Sequence, residues 1–305
     1  MSVPAVGDAA ARRRTLAIAA MPAVFVGVWS TGFVVARLAM PHAPPLTFLA
    51  WRYLFSLLAF GAWIALARPA WPRGRSQWGH LAVTGVLMHG GYLGGVWAAV
   101  HAGIPAGTVA LIVGLQPVLT AVWVSARGQH VVAPRQWAGL MMGLAGLALV
   151  VWPKMGRGEV TTLNLGLSVL ALASITAGTL YQKHHVQPVD ARTGSWVQLA
   201  AALLVTLPLA WLETEPMHWH PDLVLALVWS VLALSLGASS LLLLLIQAGA
   251  ATRVTSLFYM VPPCTAVLAW LMFGERMTTL SWLGMALCAA GVALVLRAPA
   301  AAPAR

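Results

Sequence analysis

The sequence contains few charged residues. They make up 8% of its 305 positions, whereas hydrophobic residues make up 60%. A soluble domain usually carries about 25% charged residues, so this chain has too few to cover a surface that faces water. An apolar exterior is tolerated in lipid. The scarcity of charge therefore excludes an ordinary soluble protein and predicts a membrane protein.

Acidic residues are the scarcest charged class, with seven against 18 lysines and arginines. All seven fall in predicted loops or at predicted helix ends, so a cation carrier that works through a mid-membrane glutamate is not expected. The basic residues occur in ones to threes between apolar runs. That distribution suits contact with anionic lipid headgroups and argues against nucleic acid as a partner.

Cysteine and catalytic motifs are also sparse. Cys264 and Cys288 both lie in apolar segments without metal or redox spacing, and we expect two buried thiols. HExxH, P-loop and GxSxG motifs are missing from the sequence. We therefore expect no cofactor, no metal and no enzymatic activity. The rival interpretation is an acyltransferase-like membrane enzyme, in which Asp190 orients His185 in a His-x4-Asp pattern.

What the sequence has in abundance is apolar runs of about 20 residues, the length that spans a bilayer. Turn residues and charges separate them. We predict an all-α membrane protein of ten transmembrane helices, near residues 15–38, 46–67, 79–99, 104–126, 134–152, 163–182, 193–212, 222–246, 252–273 and 280–297.

The basic residues also predict an orientation. With the N-terminus inside, 13 of the 18 lysines and arginines lie on the cytoplasmic side and four on the outer side. Residues 1–14 and 298–305 are then predicted to be cytoplasmic tails. Tryptophans near both boundaries are interpreted as aromatic belts. The inner belt comprises Trp71, Trp78, Trp137 and Trp196, and the outer belt Trp51, Trp97, Trp152, Trp211, Trp219 and Trp270.

The chain repeats itself at one fixed spacing of 145 residues. Pro117-Val-Leu-Thr-Ala-Val recurs as Pro262-Pro-Cys-Thr-Ala-Val, and Trp137-Ala-Gly recurs as Trp282-Leu-Gly. This predicts two five-helix repeats, 15–152 and 163–297. Since five is odd, the second repeat enters the membrane from the opposite side. Inverted repeats favour a carrier with a binding site at their interface, working by alternating access.

Six features are spread over residues 22–297: 28–33, Arg52, 110–117, 178–183, 251–263 and 273–275. Together they resemble the drug/metabolite transporter superfamily, in its ten-helix EamA-type branch. The resemblance implies an inner-membrane carrier driven by proton-motive force or a solute gradient, often an exporter of metabolites or amino acids. In one departure, Gln129-His130 stands where the second repeat has Gly274-Glu275.

The candidate cavity residues begin with the prolines inside helices 4 and 9. Pro117 and Pro262 each remove a backbone N–H, which leaves a carbonyl of the preceding turn without its usual donor. We expect this carbonyl to accept a hydrogen bond from a substrate; the alternative is that the proline produces only a packing kink. Gln116 and Tyr259 flank these bends at membrane depth. Both are predicted either to contact substrate or to form hydrogen bonds between helices.

Helices 1 and 3 add four further candidates. Trp29 and Ser30 lie near the middle of helix 1, as cavity wall or as core packing. His89 and Tyr92 share one face of helix 3. His89 is the best protonatable candidate, against the alternative of a neutral, hydrogen-bonded histidine. The glycines of His89–Gly95 have small-xxx-small spacing, which favours a close helix contact.

Arg52 and Glu275 are predicted to be structural charges. A charge inside helix 2 needs a partner or a path to water, and we expect Arg52 near the outer face, beside Glu275 or a helix C-terminus. Binding of an anionic substrate is the alternative.

The sequence favours an exporter of small amino-acid-like, zwitterionic or amphiphilic metabolites. Its expected partners are a small-molecule substrate and the lipid bilayer, and the protein is expected to be a monomer or homodimer. A channel is the remaining alternative, although channels usually show rings of charge or filter-like carbonyl runs.

Overall fold

The computed structural model describes residues 6–126, 134–155, 158–238, 241, 260–275 and 278–297. Regular structure in this part of the chain is helical throughout. Ten helices follow one another, α4 being divided in two: α1 (Val6–Ala39), α2 (Pro45–Ala67), α3 (Arg75–His101), α4a (Ala106–Val113), α4b (Gln116–Ala126), α5 (Pro134–Met155), α6 (Thr162–His185), α7 (Ala191–Ala210), α8 (Pro221–Ala238), α9 (Val261–Phe273) and α10 (Thr279–Arg297). The all-α prediction is confirmed.

Helix ends follow local chemistry. Helix α1 starts at Val6, earlier than the predicted residue 15, because the alanine- and arginine-rich segment that follows has high helix propensity. Thr161 and Asn164 form a capping box at the start of α6. Helix α4 breaks at Gly114 and Leu115, just before Pro117, as expected where a proline cannot donate to the preceding turn.

Five helices are long and apolar enough to cross a membrane by length and composition: α2, α3, α6, α7 and α8. Five further apolar segments, one in each remaining helix, are shorter among the residues described. Large side chains such as Leu66 (86% exposed) and Leu204 (75%) face outward without protein cover. This exterior is that of a multi-pass membrane protein; the predicted number of ten spans is not established for the shorter segments.

Contacts between α5 and α10 show how the repeats are related. A Cβ atom added to Gly146 would lie 2.5 Å from the carbonyl oxygen of Gly284, and one added to Gly284 would lie 2.6 Å from that of Gly146. Gly291 faces the Gly139 carbonyl in the same way, at 2.5 Å. Gly139 and Gly284 are counterparts at the 145-residue spacing, as are Gly146 and Gly291. The two contacts therefore exchange when the repeats are exchanged, and the helices run antiparallel, as inverted repeats require.

The repeats also share an unusual helical geometry. Residues Val86–Leu93 of α3 and Ser230–Ala238 of α8 are π-helical, with hydrogen bonds from i to i+5. Positions 231 and 238 lie 145 residues after 86 and 93, so the two stretches are counterparts. Such π-helical turns occur often at functional sites, and both stretches reach the cavity described next.

Candidate substrate cavity

A cavity of about 240 Å³ lies between the two repeats. Helices α1, α2 and α3 line it from the first repeat, and α6, α7, α8 and the α6–α7 loop line it from the second. Both π-helical stretches contribute, through Met88, His89, Tyr92, Leu234 and others. Its polar and aromatic lining residues are Trp29, Phe33, Arg52, Phe60, His89, Tyr92, Trp97, Gln182, Ser195, Gln198 and Ser235.

Arg52 is the cation among the described residues that line this cavity. Its side chain extends from α2 and is 7% exposed. Its Nε donates a hydrogen bond to Ser235 Oγ at 3.4 Å, and its Cζ lies 6.0 Å from the centre of the Trp97 ring. Among the six acidic residues whose side chains are described, none lies within 4.0 Å of the guanidinium. Arg52 is thus a buried positive charge held by a hydroxyl and an aromatic face.

Of the two alternative partners expected for Arg52, Glu275 or a helix C-terminus, Glu275 is not paired with it. Glu275 follows the C-terminal end of α9, and no ion pair joins it to Arg52. One of its carboxylate oxygens, Oε1, is buried without a hydrogen-bond partner among the described residues. Arg52 lies instead on the cavity wall, because its position on α2 faces the π-helical stretch of α8 across the repeat interface.

His89 and Tyr92 line the same cavity from α3. Tyr53 of α2 donates a hydrogen bond to the His89 carbonyl at 2.7 Å, and its ring lies edge-on to the imidazole, with centres 6.1 Å apart. Gln198 of α7 lines the cavity together with His89. The structure thus brings His89 and Tyr92 together with Arg52.

The glycines of this segment allow α3 to approach α6. A Cβ atom on Gly91 would lie 2.6 Å from Ser174 Oγ, and one on Gly95 would lie 2.8 Å from the Leu167 carbonyl oxygen. Both partners belong to α6. The predicted close helix contact is therefore present.

The side chains of Trp29 and Ser30 lie in different surroundings. Trp29 lines the cavity, whereas Ser30 is fully buried in the contact between α1 and α9. Ser30 Oγ donates to the Val26 carbonyl at 2.7 Å and lies 3.4 Å from the Val261 carbonyl. Thr265 of α9 donates to the Ser30 carbonyl at 3.2 Å. Ser30 is therefore placed as a packing residue of the repeat interface and is not part of the cavity lining.

Two of the candidates near the prolines, Gln116 and Pro262, lie away from the cavity. Gln116 Nε2 donates to Thr179 Oγ1 at 3.1 Å, which is the interhelical hydrogen bond expected as the alternative to substrate contact. Pro262 lines a separate pocket of about 20 Å³ beside Gly114. Tyr259 and the Pro117 side chain lie outside the described residues.

Several lining residues escaped sequence reasoning. Gln182, Ser195, Gln198 and Ser235 are polar residues within predicted spans, and that polarity was the signal that could have identified them. Trp97 was predicted to belong to the outer aromatic belt, but it is 1% exposed and stacks on Phe48 at 4.4 Å. Helix α3 continues to His101, so Trp97 faces α2 and the cavity instead of the lipid boundary.

The acyltransferase pattern is not assembled. Arg192 Nη2 and Nε donate to Asp190 at 2.7 and 3.0 Å, and these hydrogen bonds hold the pKa of Asp190 below its usual value. Asp190 also caps the start of α7. The His185 ring stacks on Tyr181, and its Nδ1 lies 3.2 Å from the Tyr181 carbonyl oxygen. The two residues of the pattern therefore have separate structural partners.

Comparisons with known proteins agree with this architecture. The model of the EamA-like transporter family matches the chain twice, over residues 16–152 and 164–297. The chain belongs to the EamA-like transporter family. This places two copies of the family unit in succession, in agreement with the two repeats. As a member of that family it is a membrane transporter, and the family points away from an enzyme.

Individual relatives are distant but extend over most of the chain. An uncharacterized inner membrane transporter of Escherichia coli strain K12, YedA, is 25% identical over 88% of this chain and 87% of its own length. A probable amino-acid metabolite efflux pump of Salmonella typhimurium is 26% identical over 88% and 90%. A solved crystal structure that covers 91% of this chain and 96% of its own shares the fold, with a TM-score of 0.62 and 18% identity.

Proposed function

We propose that this EamA-family transporter is an inner-membrane exporter of small amino-acid-like metabolites that carry a carboxylate. The observation that carries the proposal is Arg52, a buried cation on the cavity wall without an acidic partner among the described side chains. A charge in a membrane interior requires a counter-charge or a path to water. A substrate carboxylate supplies that counter-charge and can accept two parallel hydrogen bonds from a guanidinium.

The size of the cavity supports a small substrate. Sites for drug-sized ligands measure roughly 300–1,000 Å³, and this cavity, at about 240 Å³, lies below that range. Its aromatic walls, Trp29 and Tyr92 among them, suit an apolar or amphiphilic side chain. His89, Gln198 and Ser195 offer polar partners for an amino group or hydroxyl. The names of two relatives, both probable amino-acid metabolite efflux pumps, point to the same substrate class.

The direction of export rests on the predicted orientation. The basic residues favour cytoplasmic termini, and in that orientation the α6–α7 loop is cytoplasmic. Val186 and Val189 of that loop line the cavity, so the site reaches towards the cytoplasm, where an exported metabolite enters. Inverted repeats around a central site support alternating access. The name of the Escherichia coli relative YedA, an inner membrane transporter, supports the inner membrane.

The test measures ligand stabilisation and transport together. Purified protein is warmed with a panel of amino acids and with their carboxamide analogues, in which the carboxylate is neutral. Carboxylate ligands are expected to raise Tm, and the carboxamides are not. Arg52→Gln should weaken the ligand effect about 10- to 100-fold, because a hydrogen bond to a charged group contributes about 1.5–3 kcal/mol. Arg52→Lys should recover only part of the ligand effect, since a lysine ammonium lacks the planar guanidinium that donates two parallel hydrogen bonds to a carboxylate.

The matched control is Arg192→Gln on α7, a half-buried arginine that pairs with Asp190 and does not line the cavity. It should leave the ligand effect unchanged. Equal stabilisation by acids and carboxamides, or an unchanged response in Arg52→Gln, would contradict the proposal. Countertransport in reconstituted vesicles separates a carrier from a channel, because only a carrier exchanges labelled for unlabelled substrate through one alternating site.

A further inference from the structure

Away from the cavity, three metal-ligating side chains converge at the rim of the molecule. His42 lies in the loop between α1 and α2, while His220 and Asp222 lie at the start of α8. One ligand atom from each residue lies within 4.8 Å of the other two. Asp222 Oδ2 is 3.4 Å from His220 Nδ1 and 3.9 Å from His42 Nε2. Ligands of a tetrahedral zinc ion, with bonds of about 2.0–2.2 Å, are separated by about 3.4 Å.

The arrangement is held in place by its surroundings. The imidazole rings of His42 and His220 stack with centres 4.2 Å apart and planes 10° apart. The backbone N–H of His218 donates to the His42 carbonyl at 2.8 Å and joins the two segments. The Asp222 N–H donates to His220 Nδ1 at 3.2 Å, a cap bond that an ion at this nitrogen would replace. The side chains are 23–49% exposed, so an ion in water can reach them.

We propose that His42, His220 and Asp222 form a binding site for a zinc-class divalent ion that joins the two repeats at their outer rim. Two imidazoles and one carboxylate are ligands that zinc and related transition metals favour, whereas magnesium and calcium prefer sets made of oxygen alone. Three protein ligands leave a fourth tetrahedral position for water. His42 belongs to the first repeat and the other two to the second, so the bound ion is a cross-link between them.

The opposite rim contains the counterpart of this contact. Positions 42 and 222 correspond, at the 145-residue spacing, to Gln187 and Gln77. Gln77 Nε2 donates to the Gln187 carbonyl at 2.9 Å, and the Gln187 N–H donates to Gln77 Oε1 at 3.2 Å. The same pair of positions therefore connects the repeats at both rims, by amide hydrogen bonds at one and by the histidine–aspartate cluster at the other. Because only the rim with His42 and Asp222 has metal-ligating side chains at these positions, a bound ion would affect the contact at that rim alone.

The test uses the full-length protein, purified with a tag that contains no histidine. Zinc chloride is expected to raise Tm by several degrees, and magnesium chloride at the same concentration is not. His42→Ala and Asp222→Asn should each weaken the zinc response at least 10-fold, because even the loss of a supporting partner of a metal ligand costs about 10- to 100-fold in affinity. Neither change removes a buried core residue, so both variants are expected to fold.

Two control variants localise the effect. His101→Ala removes a histidine of the same rim that pairs with Glu215 at 3.2 Å, and His184→Ala removes an exposed histidine near the end of α6. Both should keep the full zinc response. An unchanged response in His42→Ala and Asp222→Asn, or no response of the native protein, would overturn the proposal. The readout uses no transported substrate, so its failure is distinct from failure of the proposed transport function.

Discussion

At the scale of single residues, the polarity of the cavity is concentrated in a few side chains. Arg52 and His89 of the first repeat line the cavity together with Gln198 of the second. Each sits on a different helix, so no single stretch of sequence presents them as a group. Their helical positions could be predicted from apolar runs and spacing. Their convergence could not, because it depends on which face each helix turns toward the other repeat.

His89 is the candidate for proton coupling. The charged or titratable groups around it are Arg52 and Tyr53 on α2 and Tyr92 on its own helix. If transport is coupled to protons, we expect its pH dependence between about pH 5 and 8 to disappear in His89→Gln, which keeps a hydrogen-bonding side chain without a titratable ring. The measurement is initial uptake into vesicles across that range. A steep dependence that persists in His89→Gln would contradict this role.

Glu213 stabilises a helix of the other repeat. Its carboxylate accepts hydrogen bonds from the N–H groups of Leu46 and Thr47 at 2.9 and 2.7 Å, at the start of α2. The cap position itself is Pro44, which makes no side-chain cap bond. We expect Glu213→Ala to lower the free energy of unfolding by about 1 kcal/mol, the usual cost of a lost cap. Thermal unfolding in detergent measures it.

Glu215→Ala is the matched control for that change. Glu215 pairs with His101 at 3.2 Å, but its side chain is 64% exposed. Exposed ion pairs contribute about 0–1 kcal/mol, so this variant should change Tm less than Glu213→Ala does. An equal loss in both variants would show that the cap is not the source of the effect.

At the scale of elements, the contact between α5 and α10 depends on glycine. The Cβ of Gly146→Ala would lie 2.5 Å from the Gly284 carbonyl oxygen and 2.8 Å from the Cys288 nitrogen. Both are backbone atoms, so the helices must separate. We expect a loss of roughly 1–3 kcal/mol, the range for overpacking, visible as a lower Tm.

A helical glycine without close neighbours provides the comparison. A Cβ atom on Gly166 of α6 would meet nothing within 4 Å. Gly166→Ala should therefore raise stability slightly, since alanine is favoured over glycine in a helix by roughly 0.5–1 kcal/mol. If Gly146→Ala is tolerated equally well, the two helices are not packed as described.

The sequence predicted the positions of the helices but not their internal geometry. The apolar runs predicted the ten helices and most of their ends, and Pro117 marked the break between α4a and α4b. The π-helical stretches of α3 and α8 were not predicted, because their residues have ordinary apolar helical patterns and the change lies in the hydrogen bonding. Trp97 was misassigned for a related reason, since distance from a helix end does not specify a face.

At the scale of the whole molecule, the spacing of 145 residues was the most informative feature of the sequence. It predicted two repeats. The contact of Gly146 with Gly284 and the contact of Gly139 with Gly291 are counterparts of each other at that spacing. The spacing could not predict that the contacts at the two rims differ in chemistry. That difference lies in the residues at positions where the repeats have diverged.

The relation between the rims has a consequence for motion. If the two repeats exchange their backbone conformations, every distance between a pair of positions becomes the distance now found between their counterparts. The separation of positions 42 and 222 would take the present value for 187 and 77, and the reverse. One fold thus specifies two geometries. Spin-label distances across both rims, recorded with and without substrate, would show the 42–222 and 77–187 separations interchanged.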